Sequence, residues 1–455
     1  MKKKTLKIGW IFIIFLFVLT SCAPRYNTKA DQPIPPSTPS NIQQDDQALI
    51  FAALSGGGTR AAAMSWKTLE LLKRIPYTYR DNSGTEITST LADEIDCISG
   101  ISGGSFAAAA WCFYGDNLDL FRKRFIERNI QGELAKGLLI PPWQGVRLIS
   151  PYYDRINLAS ELYDETVFDH KTFGDLSPHP MLWIHATHLA LGDRFTFNQS
   201  FFDYLDSDIS KYPIGYACAA SSAFPILLSP MTLLNFGDPV SLDKDIKYTM
   251  AQKNARDDIE QYYYCRMREF YNDKKTNKFM HIADGGLVDN QGLQAIIDQF
   301  ETNGIINKKL NDKENPLRRL IIINVNAGVS EDDPSCESKN DPGVTSVIEY
   351  TMVTSMDILS AKRWKQIKEK CTEIYQAVID IGDSTKSLSL LEKPYTIEIS
   401  FRNLKDDALR KACNRLPTSF HLDKNQLELI DKVVPSLVEE DPDMIRLKES
   451  LKLPR

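Results

Sequence analysis

Histidine is scarce in this chain, with six residues in 455. The eight cysteines show neither a C-x-x-C pair nor zinc-ligand spacing, which leaves no sequence sign of a zinc site or a dithiol redox centre. No basic stripe is present, and the formal charge of −6 suits nucleic acid poorly. The longest apolar run, Ile8 to Leu19, is shorter than the roughly 18–20 residues that span a bilayer. A triple glycine at Gly56-Gly57-Gly58 lacks the Lys-Ser/Thr ending of a phosphate loop and does not fit G-x-G-x-x-G. Internal repeats are absent. What remains is chemistry carried by ordinary side chains and backbone amides.

The chain start is informative in its own right. Lys2, Lys3, Lys4 and Lys7 precede the apolar run, and Leu19-Thr20-Ser21-Cys22 follows it. This is the pattern of a secretory signal, and its end resembles a bacterial lipobox. The expectation is a leader over 1–21, removed at a lipidated Cys22. Several acyl chains on that cysteine hold a protein on a membrane far better than one. Residues 22–47 then read as a flexible tether, because Asn27 to Gln47 carries Pro33, Pro35, Pro36 and Pro39 among polar residues without an apolar period. Ala23 rather than an acidic residue follows Cys22, which by resemblance to the usual bacterial sorting pattern directs the protein to the outer membrane of the cell envelope. Losing four lysines and no acid with the leader takes the charge from −6 to −10. An acidic chain gains little from anionic lipid surfaces, so membrane contact rests on the anchor and on local apolar surface.

Residues 48–455 have ordinary globular composition and are read as one domain, with a motif-bearing core over 48–330 and a less marked part over 331–455. Apolar runs predict strands at Ala48–Leu54, Met181–Thr187, Arg194–Asn198, Phe279–Ala283 and Arg319–Val325. Tyr375–Ile381 and Tyr395–Phe401 are further strand candidates. Helices are expected at Arg60–Lys73, Gly215–Ser222, Gln291–Phe300, Asn425–Leu437 and Met444–Leu451. Strands alternating with helices imply an α/β fold whose mostly parallel sheet is covered on both faces. The charged stretch Ser241–Asn277 reads as an inserted surface helix or lid, or equally as a solvated excursion. Cys97, Cys112 and Cys218 lie in apolar segments and suit the core. Cys265, Cys336, Cys371 and Cys413 are scattered, and their spacing assigns no pairing.

Three segments carry the chemistry. Ser102 stands in Gly100-Ile101-Ser102-Gly103-Gly104, between the apolar run ending at Ser99 and the helical Phe106-Ala107-Ala108-Ala109-Ala110-Trp111. A serine on a glycine-flanked turn from strand to helix is a nucleophile elbow, which points to acyl transfer. Gly56-Gly57-Gly58 offers main-chain amides to an anion, either a phosphate or the oxyanion of acyl transfer. The missing phosphate-loop residues favour the oxyanion. Arg60 closes that loop, as a surface or capping cation, a loop holder or a contact for an anionic head group. Asp284, in Ala283-Asp284-Gly285-Gly286, ends a predicted strand. It is expected at the same exposed sheet edge as Ser102, either as a base or as a turn aspartate.

Gly57-Gly58-Thr59-Arg60, Gly100-Ile101-Ser102-Gly103-Gly104, Ala220-Ser221-Ser222-Ala223-Phe224-Pro225 and Asp284-Gly285-Gly286 occur in the order seen in the patatin-like phospholipase family, which the chain resembles over Ile50 to Asn290. The resemblance implies a three-layer α/β/α sandwich and a Ser–Asp dyad without catalytic histidine, metal or cofactor. It also implies a lipid or phospholipid ester as substrate. By position, Ser102 is then the nucleophile and Asp284 the base. Gly57, Gly58 and Gly103 supply the oxyanion hole, Arg60 supports it, and Ala220–Pro225 lines the site. Ala61 replaces a glycine frequent in the family, and Gly292 a proline.

A histidine triad is the mechanistic rival. Only His421 follows Asp284, near a predicted helix start. His281 is expected to pack structurally. His170, His179, His185 and His188 show no telling spacing to a carboxylate, and strand alternation puts His185 and His188 on opposite faces. The leading expectation is a membrane-tethered phospholipase A or lysophospholipase. A transacylase or thioesterase on the same dyad, or a lipid-binding envelope lipoprotein without activity, are the alternatives.

Overall fold

The computed structural model describes residues 26–31 and 48–452, apart from 81–83, 116, 140–152, 226, 313–316, 330–338, 340–342, 381–389 and 391. The leader, the lipobox Cys22, most of the tether and Cys336 lie outside the described residues.

Strand β1 (Ala48–Leu54) is buried along its whole length. Its neighbours are β4 (Cys97–Ile101) on one side and β9 (Arg319–Asn326) on the other, both parallel to it. Parallel strands need crossover helices, and those helices cover both faces, so the strands read as continuous apolar runs. Alternate residues of β1 enter different cores. Ala48, Ile50, Ala52 and Leu54 pack in one apolar cluster, and Leu49, Phe51 and Ala53 in another. The three layers foreseen from the sequence follow from this division.

The eight-stranded sheet continues outward in the order β10 (Tyr395–Ser400), β9, β1, β4, β5 (Met181–His188), β8 (Phe279–Asp284), β7 (Met231–Leu234), with β6 (Asp193–Phe197) paired to β5. From β10 to β5 all pairs are parallel, whereas β6, β7 and β8 join antiparallel. Strands β2 (Pro76–Arg80) and β3 (Glu86–Thr90) form a separate hairpin.

Helices α1 (Gly58–Leu72) and α2 (Gly103–Tyr114) follow β1 and β4 directly and pack against the larger core. Helix α3 (Ile214–Ser221) supplies Ala217, Cys218, Ala219 and Ala220 to that core. The expected excursion at 241–277 is two helices, α4 (Ile246–Asn254) and α5 (Ile259–Asn272), which share a small core of Tyr248, Ala251 and Cys265. The smaller core is closed by α6 (Val344–Asp380), through Trp364, Ile367 and Cys371. Their spacing of three and four residues sets them on one helix face. The strand candidate Tyr375–Ile381 is therefore, over its described residues Tyr375–Asp380, the end of a helix. The helix expected over Gln291–Phe300 is reduced to Gln294–Ile297 and a following 3-10 turn. Helix α7 (Lys424–Glu440) packs beside α1.

Residues 26–31 are not a free tether. Asn27 is buried, donating to Ser207 Oγ and the Leu234 carbonyl and accepting from the Leu234 amide. Three hydrogen bonds from one side chain outweigh the absence of an apolar pattern, which was all that the sequence offered here. Cys97, Cys218, Cys265, Cys371 and Cys413 are buried free thiols, and Cys112 is half-buried.

Candidate active site

Pairing along β5 assembles the centre. Strand β6 lies along one side of β5 from Ile184 to His188. Its other side takes β4 from Met181 to His185 and then β8 from Ala186 to His188. Strands β4 and β8 therefore occupy one lane of the sheet and run toward each other. Ile101 pairs with His185, and Asp284 pairs with the next residue, Ala186. Ser102 follows Ile101, so the serine and the aspartate meet where the two strands end head to head. This corrects the sequence expectation in two respects. Asp284 arrives on an antiparallel strand, to which the rule for C-terminal ends of parallel strands does not apply, and it is buried rather than exposed.

The turn at Ser102 has φ 48 and ψ −121, a conformation that costs a residue with a Cβ about 1–3 kcal/mol. Several contacts hold it there. The Ser102 amide donates to Ser221 Oγ at 2.8 Å, and that hydroxyl donates to the His185 carbonyl at 2.6 Å. The Ser102 carbonyl accepts from Ser105 N and Ser105 Oγ. Ser221 belongs to the segment expected to line the site. Its hydroxyl acts on the backbone of the elbow.

Asp284 accepts the Gly286 amide at 2.7 Å, and the Ser102 hydroxyl lies beside it. Burial pushes its pKa up to about 7, against the opposing pull of those two groups. Its main chain is also fixed, with the amide donating to the Ala223 carbonyl and the carbonyl accepting from Thr187 Oγ1. A carboxyl group whose pKa is pushed toward neutrality beside a hydroxyl is equipped to exchange a proton with it.

The glycine loop lies against the elbow. A Cβ on Gly103 would stand 1.9 Å from the Gly58 carbonyl oxygen, so the two backbones touch where only hydrogens fit. Gly57 has φ 133 and Gly58 φ 59, both conformations that L side chains rarely adopt. No acceptor among the described residues takes the amide hydrogens of Gly57, Gly58 or Gly103. Gly103 opens α2, whose dipole is positive at that end.

Arg60 is buried and donates through Nε to the Ala327 carbonyl at 2.9 Å and through Nη1 to the Leu416 carbonyl at 2.6 Å. These contacts place it as a holder of the loop. Thr59 N donates to the Ser419 carbonyl. Residues 416–419 thus brace the glycine loop from a part of the chain where no motif was visible.

The histidines occupy other positions. His185 bonds Ser99 Oγ and Thr196 Oγ1, and burial holds its pKa well below the usual imidazole range. His281 pairs with Thr232. His170 does have a carboxylate partner, with Nδ1 2.9 Å from Asp164 Oδ2, which the spacing had not suggested; its side chain is exposed. His421 has no hydrogen bond to Ser102 or Asp284 among the described residues, and its Nδ1 is buried without a partner. A cleft of about 330 Å³ lies along α6 and the ends of β9 and β10, lined by Gln291, Asn326, Asp357 and Trp364 among others. Neither Ser102 nor Asp284 lines it.

The family model for patatin-like phospholipases matches residues 52–297. The chain belongs to the patatin-like phospholipase family. Membership makes it a lipid acyl hydrolase in general terms. No curated protein matches the chain. The patatin-like match begins inside β1 and ends with the helical turn after Asp284. It therefore spans the elbow, the glycine loop and the head-to-head strands, and stops before α6 and the 416–419 brace.

Proposed function

We propose that this patatin-like protein is a membrane-tethered phospholipase A or lysophospholipase that cleaves carboxylic esters through Ser102 and Asp284. The observation that carries the reading is that Ser102 meets, where β4 and β8 end head to head, a buried Asp284 whose pKa burial pushes up to about 7. A serine hydroxyl is a weak nucleophile and needs a base. In the first step Ser102 Oγ attacks the ester carbonyl and Asp284 takes its proton. The amides of Gly57, Gly58 and Gly103 stabilise the negative oxygen that develops. One such donor is worth about 3–4 kcal/mol in a site closed to water.

The tetrahedral species collapses to an acyl-serine, and Asp284 returns the proton to the departing alkoxide. Water then enters. Asp284 takes a proton from it, hydroxide adds to the acyl carbon, and Ser102 leaves reprotonated with release of the fatty acid. Arg60 keeps the glycine loop in place throughout. Lipid on Cys22 tethers the protein in the cell envelope, at the outer membrane.

A fluorophosphonate probe tests the nucleophile. It is expected to label the wild type once and to leave Ser102→Ala unlabelled and inactive on a phospholipid, with circular dichroism unchanged. Labelling or turnover retained by Ser102→Ala would falsify the assignment. The anchor is tested separately: incorporation of labelled palmitate in cells is expected to vanish in Cys22→Ser, and persistence of the label removes Cys22 from this reading.

A further inference from the structure

Helix α6 is divided along its length. From Ser360 onward it is pinned to the body, with Ser360, Trp364, Ile367 and Cys371 buried. Arg363 adds bonds to the Val288 carbonyl and Gln294 Oε1 and an ion pair with Asp289. The preceding residues, 344–359, extend about 24 Å at the helical rise. Here Val347, Val353, Ile358 and Leu359 are between 39% and 52% exposed. The segment contains only two charged residues, Glu349 and Asp357, and no lysine or arginine. A polar and charged outer face is the rule for a helix that covers a domain in water; here Thr351, Thr354 and Ser355 are exposed beside the apolar side chains, and Asp357 is the one charged residue among the described exposed ones.

Two observations identify what the segment meets. The first is position. Met356 Cε lies 2.6 Å from where a Gly286 Cβ would stand, and Asp284 Oδ1 lies 3.0 Å from the same point. The apolar half of α6 is thus continuous with the Ser102–Asp284 centre. The second is charge. Residues 362–370 hold five basic side chains and one acidic, in a chain that is net acidic. Lys362, Lys365 and Lys368 are exposed. Lys365 is shared with Glu369, and Lys368 lies over the Trp364 ring. An apolar helical segment followed by a lysine collar suits an interface whose interior is hydrocarbon and whose head groups are anionic. Among the described residues no helix is long and apolar enough to cross a membrane.

We propose that residues 344–359 of α6, with the lysines that follow them, seat the active centre on an anionic lipid bilayer. The segment lies in the surface rather than across it, and lipid reaches Ser102 from the layer in which the segment is embedded. This deepens the hydrolase reading above and rests on it for the use of the surface, though not for the docking itself.

The test uses the full chain and two substrates, phosphatidylglycerol vesicles and a soluble short-chain ester. Val347→Asp combined with Val353→Asp is expected to cut vesicle hydrolysis by about tenfold or more, since two apolar side chains lose their burial in lipid. Turnover of the soluble ester should not change. Lys362→Glu combined with Lys365→Glu should erase the preference for phosphatidylglycerol over phosphatidylcholine vesicles. An environment-sensitive fluorophore on Val353→Cys reads docking without catalysis, and its emission should shift to the blue on phosphatidylglycerol vesicles.

An unchanged vesicle rate in the valine pair overturns the proposal. So does a parallel loss on the soluble ester, which would make the segment a wall of the site. A blue shift that follows protein concentration without vesicles also overturns it, because a second copy would then be the occupant. If neither substrate is cleaved while the vesicle-dependent shift remains, the docking stands and the hydrolase reading fails.

Discussion

Asp284→Asn is expected to cut ester turnover by about 10²–10⁴-fold, the contribution of a positioned general base, and at the same time to make the protein more stable above neutral pH. The two effects have one cause. Burial raises the Asp284 pKa from 3.8 to about 7. In the folded chain the carboxyl is therefore protonated below about pH 7 and cannot take the Ser102 proton. Wild-type kcat/KM should rise with pH through about 7 and then level off. In the unfolded chain the same group ionises near its ordinary value. A folded pKa above the unfolded one means that the folded form binds the proton more tightly. Its stabilising contribution is full below the unfolded pKa and is lost as pH rises through about 7.

The loss amounts to roughly 4 kcal/mol for a shift of this size. Asparagine carries no charge at any of these pH values and avoids it, while its side-chain oxygen can still accept the Gly286 amide. Thermal melts of the two proteins across pH 4 to 9 check this. The Tm difference should grow in favour of Asp284→Asn up to about pH 7 or 8. A flat difference, or turnover close to wild type, would remove Asp284 as a buried base.

Gly103→Ala carries the second large effect, and its origin is steric. The added Cβ would lie 1.9 Å from the Gly58 carbonyl oxygen and 2.7 Å from its carbonyl carbon, both backbone atoms. Ordinary contacts of a Cβ start near 3.4 Å, so the elbow and the glycine loop have to separate by more than an ångström. The loop cannot retreat freely. Arg60 ties it to Ala327 and Leu416, Thr59 is bonded to Ser419, and the Ser419 carbonyl presses on Gly58. Overpacking of this kind costs about 1–3 kcal/mol of stability.

In the proposed mechanism the larger effect of Gly103→Ala is on catalysis, because amides moved away from the developing oxyanion forfeit about 10²–10³-fold each. Fluorophosphonate labelling rates and urea unfolding measure the two losses separately. Gly343→Ala is the control. A Cβ at Gly343 meets nothing within 4 Å among the described residues, so both quantities should match the wild type. A Gly103→Ala protein that labels at the wild-type rate would show that the contact between the two loops is not needed.

Much of this architecture is legible in local patterns. The uninterrupted apolar run of β1 requires both faces of a strand to be covered, and alternating strands and helices then leave few topologies. The elbow is visible because a serine among glycines between a strand and a helix is a local event. The strand expected at Tyr375–Ile381 is a helix end over its described residues, because a short apolar stretch has no periodicity of its own. Its state was decided by Trp364, Ile367 and Cys371 upstream, whose burial on one face extends a helix through it. The buried Asn27 gave no signal either, because its three hydrogen bonds lie with Ser207 and Leu234, far away in the chain.

The sequence by itself determined the fold class and the family, because apolar runs, glycine turns and the order of the motifs are short-range patterns that neighbouring residues already specify. Only the tertiary structure decided that Asp284 comes in from the opposite direction and is buried, that Ser221 positions the elbow, and that Leu416 and Ser419 brace the glycine loop. Strand direction, burial and the raised pKa that follows from burial depend on which distant segments exclude water, and no local window of the chain records that.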